Sequence, residues 1–172
     1  MHRSLATIAV MVILAMACKS EKESGPSTYL RWVGDIAYDE DLDDPSIELC
    51  HPDGDVFQYH NVAMGLQYRG EKPAIRRAFQ QAFKPVHMPG QSGLIRIRFV
   101  VNCKGETNRF RLLGADENWQ AFTFHEDITT QLMAIAKGLD GWQPLDLDGT
   151  PVDYYQYLVF KMKDGEIIDI MP

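Results

Sequence analysis

Residues 93–113 read GLIRIRFVVNCKGETNRFRLL, and the alternation within this stretch decides the fold. Ile95, Ile97, Phe99 and Val101 fall on one side of an extended chain and Arg96 and Arg98 on the other. That is the period of two expected of a half-buried strand. Lys104-Gly105 stands where a two-residue hairpin turn belongs. With that turn, Phe99 faces Phe110, Ile97 faces Leu112 and Arg98 faces Arg111, so apolar rows meet and the register is self-consistent. Cys103 then lies on the Phe99 side, directed inward.

Working outward, Thr123 and Glu126 have capping-box spacing and predict a helix with the stripe Ile128, Leu132, Ile135 and Leu139, ended by Gly138 or Gly141. Trp142 and Pro144 lead to a strand over 152–163, with Val152, Tyr154, Leu158, Phe160 and Met162 on one face. Asp164-Gly165 then turns 166–170 back beside it. Upstream, Pro73 opens a helix carrying Ile75, Ala78, Phe79, Ala82 and Phe83, and Pro85 closes it. Before it the pattern is irregular, with short apolar pieces at 29–33 and 56–59 and a turn at Pro52-Asp53-Gly54. Segment 39–44 holds five carboxylates in six positions and ends at Pro45, which disfavours a helix. The expectation is one α+β domain: an antiparallel three- to four-stranded sheet packed on two helices.

The start of the chain speaks to location. A basic beginning (His2, Arg3) precedes an apolar run over 5–17, shorter than the roughly 20 residues of a comfortable membrane span. Ala15 and Ala17 before Cys18 resemble a bacterial lipobox, which implies cleavage before Cys18 and lipid on its sulfur. An ordinary export signal with an incidental cysteine is the alternative. KSEKESGPS (19–27) has no apolar side chain and reads as a solvated tether; its charges resemble the surface-export signals of Bacteroidetes lipoproteins. The chain then divides into a signal peptide (1–17), a lipidated tether (18–28), an irregular region (29–72) and a main domain (73–172). A multiply acylated cysteine holds a protein to a membrane without any spanning helix, here at the outer membrane, facing the periplasm or the cell surface.

A net charge of −7 argues against nucleic acid, which needs a cationic footprint. Cys50 and Cys103 remain as an even pair in an oxidising compartment, and a disulfide between them is expected; two buried free thiols are the alternative. A zinc site is not expected, because His51 has no companion at ligand spacing.

The order helix, strand, strand, helix, strand over 73–163 resembles the C-terminal domain of TonB-type energy transducers. The likeness rests on GLIRIRFVVNCKGETNRFRLL and on GWQPLDLDGTPVDYYQYLVFKM (141–162), and covers about half of the chain. It implies that family's fold. Three departures tell against its energy-transducing role: a cleavable signal and short tether replace an inner-membrane helix and proline-rich spacer, residues 166–170 are expected to occupy the strand edge that receives a receptor peptide in the family, and no Tyr-Pro precedes the first strand.

The alternation also places Arg96, Arg98, Arg109, Arg111, Tyr155, Tyr157, Lys161 and Lys163 on the side of the sheet away from the helices. Opposed like charges destabilise a ladder unless something anionic lies over them. Either the acidic segment 39–44 folds across this stripe, or an anionic ligand or partner covers it, or the charges are solvated. Arginine forks suit carboxylates and phosphates, and tyrosine offers a flat surface for sugars or peptides. His51, His60, His87 and His125 have no spaced partner marking a metal or nucleophile site, and 51–55 lacks the oxygen series of a calcium loop. The expectation is a non-enzymatic binding or accessory module with no cofactor, no metal and no catalytic residue, whose candidate binding residues are Arg96, Arg98, Arg109, Arg111, Tyr155, Tyr157 and Lys161. Its partner would be an envelope protein, possessing acidic loops, or an anionic envelope glycan. A structural protein on cell-wall glycan and an enzyme using the acidic N-terminal loops are the alternatives.

Overall fold

Ile95, Ile97, Phe99 and Val101 lose all solvent contact, and they do so on one side of a single strand. The computed structural model describes residues 34–51, 56–58 and 65–171. The expected signal peptide, Cys18, the tether, the apolar piece 29–33 and the Pro52-Asp53-Gly54 turn lie outside the described residues. In chain order the elements are β1 (Phe57–Gln58), α1 (Glu71–Ala82), β2 (Gly93–Val101), β3 (Thr107–Ala115), α2 (Glu126–Lys137), β4 (Leu145–Leu147), β5 (Thr150–Val152), β6 (Tyr154–Lys163) and β7 (Glu166–Met171). No helix among the described residues is long and apolar enough to cross a membrane.

The fold is α+β, with two helices and a five-stranded sheet in the order β1-β6-β2-β3, β7 lying along the later part of β6. The sheet is mixed rather than antiparallel throughout, because β1 enters parallel to β6, paired at Tyr154 and Tyr155. A two-residue strand has no period to read; it is held by the Phe57 amide donating to the Asp153 carbonyl at 2.9 Å.

The central hairpin differs from expectation twice, and the two differences cancel. Asn102 and Glu106 close a three-residue loop of Cys103, Lys104 and Gly105, with the Gly105 amide donating to the Asn102 carbonyl at 2.9 Å. Gly105 takes φ +83, and a Cβ there would stand 2.8 Å from the Trp142 carbonyl, so glycine is required. The extra loop residue alone would slip every pair by one. A bulge on β3 restores the phase: Val100 pairs with Asn108 but Arg98 pairs with Arg111, leaving Arg109 and Phe110 against Phe99. Above the bulge, Ile97 meets Leu112 and the Phe99 and Phe110 rings stack at 4.8 Å, the pairing expected from the alternation.

Both helices pack on the Phe99 side. α1 starts two residues before Pro73, which sits in the first turn where its missing N–H is not needed. Its Ile75 and Phe79 are buried, while Ala82 of the expected stripe is exposed. α2 begins after His125, whose Nδ1 accepts the Asp127 amide at 3.3 Å. The expected Thr123–Glu126 capping box is not used, because 120–122 first fold back on β3, the Phe122 amide donating to the Gly114 carbonyl at 3.0 Å. The β4–β5 hairpin is an addition to the expected elements, and its Asp148-Gly149 turn has the same left-handed pair (φ 52° and 85°) as Asp164-Gly165. Its flanks are only three residues long and show no alternation.

One polar side chain is caught inside this core. Gln156 stands opposite Phe99 with no solvent exposure; its Nε2 donates to the Tyr157 carbonyl at 2.9 Å, but Oε1 has no partner. An unmet buried acceptor costs more than the bond it forgoes. Gln156→Met should therefore raise stability by about 1 kcal/mol, read as a higher urea midpoint at unchanged slope. An unchanged or lower midpoint would mean that the amide oxygen is satisfied in solution.

Candidate functional site

The side of the sheet away from the helices is where the sequence gathers its cations, and the structure lays segment 34–51 across part of it. Carbonyl oxygens do most of the binding. Arg98 donates to the Gly34 carbonyl, Arg109 Nη1 to the Ile36 carbonyl at 3.0 Å, and Arg111 Nη2 to the Ala37 carbonyl at 3.0 Å. Arg111 also forks onto Asp43, with Nη1 to Oδ1 at 2.7 Å and Nη2 to Oδ2 at 2.8 Å. Asp43 Oδ2 further accepts the Asp39 amide at 2.9 Å. The Arg111 hydrogen bond holds the Asp43 carboxyl below the usual carboxylate range against the opposing effect of burial. Burial lowers the Arg98 guanidinium from its ordinary value.

The bulge makes this strap possible. It turns two successive residues of β3, Asn108 and Arg109, toward the same segment: Asn108 accepts the Asp44 amide at 3.1 Å and donates to the Asp44 and Ile47 carbonyls at 2.8 and 2.9 Å. A small second core forms beneath, where Ile36 packs with Val56, Val100 and Tyr155. The Tyr155 hydroxyl accepts the Ile36 amide at 3.2 Å and donates to Asp35 at 3.4 Å. Tyr155 is buried, and its hydroxyl is pushed above its ordinary pKa chiefly by that burial.

At the far end the strap is fastened covalently. Cys50 and Cys103 form a disulfide with their Cα atoms 6.0 Å apart. Asp153, fully buried, accepts the Cys103 amide through Oδ1 and the His51 amide through Oδ2, both at 2.8 Å. One carboxylate thus holds the backbone on both sides of the bridge. Cys50, Cys103 and Asp153 converge within 4.8 Å, but sulfurs bonded to each other offer no thiolate to a metal.

The remaining stripe residues part company. Arg96 is buried, its guanidinium 4.3 Å from the centre of the Tyr157 ring. Lys161 and Lys163 are exposed on β6, beyond the hydrogen bonds of the strap. Asn102, Asn108 and Asp153, which anchor the strap, lie outside the expected site; a polar residue between apolar ones in a strand pattern marks Asn102 and Asp153, whereas Asn108, between Thr107 and Arg109, carries no such signal. The imidazole–carboxylate pairs sit at separate places: His51–Asp153 and His87–Glu166 tie distant segments together, and His125–Asp127 lies within the first turn of α2.

A second surface lies along β3, which ends one side of the sheet. A groove of about 780 Å³ runs between β3 and α2, over Phe122, Phe124 and Thr130, and another of about 810 Å³ runs between β3 and the strap, beside Tyr38 and Leu42. Leu112, Leu113, Met133 and Lys137 line both. Comparison of the chain with family models, curated proteins and solved structures found no match.

Proposed function

We propose that this chain is an envelope lipoprotein, held to the outer membrane through lipid on Cys18, that serves as a non-catalytic binding or accessory module. The observation that most supports the reading is the use made of the polar face. Arg98, Arg109 and Arg111 are engaged by the chain's own carbonyls and by Asp43, so their charge goes into holding the strap rather than into chemistry on a substrate. On this reading the domain is TonB C-terminal-like without being an energy transducer. β1 and β7 both pair with the outer side of β6, the strand corresponding to the family's peptide-receiving edge, so a receptor peptide could join there only by displacing them. The partner is then an outer-membrane transport or other envelope complex, met by a different surface.

The test is made in intact cells. Palmitate label should enter the wild-type chain and be lost in Cys18→Ala, which should also move the protein to the soluble fraction. Cross-linking should recover envelope proteins as neighbours of the wild type. An unlabelled wild type would end the anchored reading, and sedimentation with isolated peptidoglycan in place of protein neighbours would favour the glycan-binding alternative.

A further inference from the structure

β3 ends one side of the sheet, as β1 and β7 end the other, and part of its outer edge is open between two grooves. In an antiparallel strand alternate residues turn their N–H and C=O to the same side. Gly114 reaches outward, since its carbonyl accepts the Phe122 amide, and so does Phe110, whose carbonyl accepts the Arg111 guanidinium at 2.9 Å. Leu112, between them, therefore also presents its amide and carbonyl outward, where neither has a partner among the described residues. An unpaired stretch of edge is a template for another extended chain. The grooves flank this one, so a strand laid beside Leu112 would drop successive side chains alternately toward α2 and toward the strap.

The geometry points to β3 as the docking edge for a short extended segment of a partner protein, apolar at alternate positions and carrying a carboxylate for Lys137. This deepens the binding-module reading and rests on it. The carboxylate follows from charge: Lys137 is exposed at the lip of both grooves, its Nζ 5.7 Å from the Phe110 ring centre, with no ion pair among the described residues. The apolar positions follow from the α2-side lining of Leu112, Phe122, Phe124 and Met133. Shortness follows from the fold-back. Residues 120–122 already occupy the outer side from Gly114 to Asp116, so a second copy's β3 running antiparallel would collide with them after a few residues. At that end Trp119, 70% exposed on its turn, offers an aromatic contact of the kind that anchors interfaces.

The test uses the full-length chain in detergent micelles with its disulfide intact. The probe is an equimolar mixture of blocked peptides, about five residues long, alternating valine or leucine with glutamate, the length of a short strand. Amide exchange is followed by NMR and binding by calorimetry. The peptides should slow exchange of the Leu112 amide about tenfold or more, and Lys137→Glu should weaken binding about fivefold. Methylating alternate peptide nitrogens, which removes the backbone donors and keeps the side chains, should abolish binding. Leu112→Pro should do the same, because it deletes an outward N–H and no ladder bond; if that variant fails to fold, the methylated peptides and Lys137→Glu decide. Unchanged Leu112 exchange at millimolar peptide, equal binding of methylated peptides, or protection appearing on β7 or the strap instead would each overturn the proposal. Leu112 protection that grows with protein concentration alone, together with dimers in sedimentation, would assign the edge to a second copy. None of these outcomes alters the Cys18 labelling result, so the anchor and the docking edge fail separately.

Discussion

Arg111→Glu is expected to free the strap while leaving the sheet folded. The forked pair with Asp43 is shielded, the Asp43 side chain being 1% exposed, and reversal would set one carboxylate against another there. Removing one partner of a buried pair costs about 3–5 kcal/mol. The strap can relieve that cost by leaving, so the loss should appear as local opening: amides of 36–47 should exchange on the order of 100-fold faster, with β2 and β6 unchanged. Arg98 also donates to the strap, at the Gly34 carbonyl, so the same reversal there should loosen the strap as well. Acid should act in the same direction. The Asp43 pKa is depressed in the folded chain, first by the Arg111 hydrogen bond. Its contribution is therefore full above the unfolded carboxyl value of about 3.9 and is lost as pH falls through the lower folded value. Strap exchange should quicken on acidification below about pH 4, and this step should vanish in Asp43→Asn. A strap that exchanges at the wild-type rate in Arg111→Glu would sink this account.

Removing the disulfide should cost the most stability. Its cysteines are 53 residues apart, and for a loop of that size the chain-entropy model assigns about 4 kcal/mol. The doubly substituted Cys50→Ser, Cys103→Ser chain should melt about 12 °C lower by calorimetry. Asp153→Ala attacks the same junction differently, leaving the His51 and Cys103 amides without their acceptor at about 1–3 kcal/mol for each group. Because both changes loosen one fastening, the triple variant should lose less than the sum, a coupling that a double-mutant cycle reads directly. A loss under about 1 kcal/mol on removing the bridge would show that strap and sheet hold together without it.

The alternation in 93–113 carried the pairing of Ile97 with Leu112 and of Arg98 with Arg111, because period two is a local property of an extended chain. It could not show the three-residue loop or the bulge, since their displacements cancel beyond Phe99 and leave the pattern intact. The site was less legible than the fold. Alternation identified Arg98, Arg109 and Arg111 as neighbours on one face and left three possible covers for them. The answer came from carbonyls of Gly34, Ile36 and Ala37, groups that every residue carries and that no sequence pattern marks.

Side-chain order along each ribbon was thus enough to establish which faces are greasy, where Asp164-Gly165 turns the chain back, and that Cys50 has one plausible mate within the domain. Only the assembled molecule decided that backbone carbonyls of a distant segment and Asp43 cover the arginines, that Asp153 grips both sides of the disulfide, and that β3 keeps an open stretch of edge. The division has a physical cause. Turns and strand faces depend on neighbours one to four positions apart, whereas the strap joins groups 53 to 120 residues apart, whose meeting depends on the whole chain having folded first.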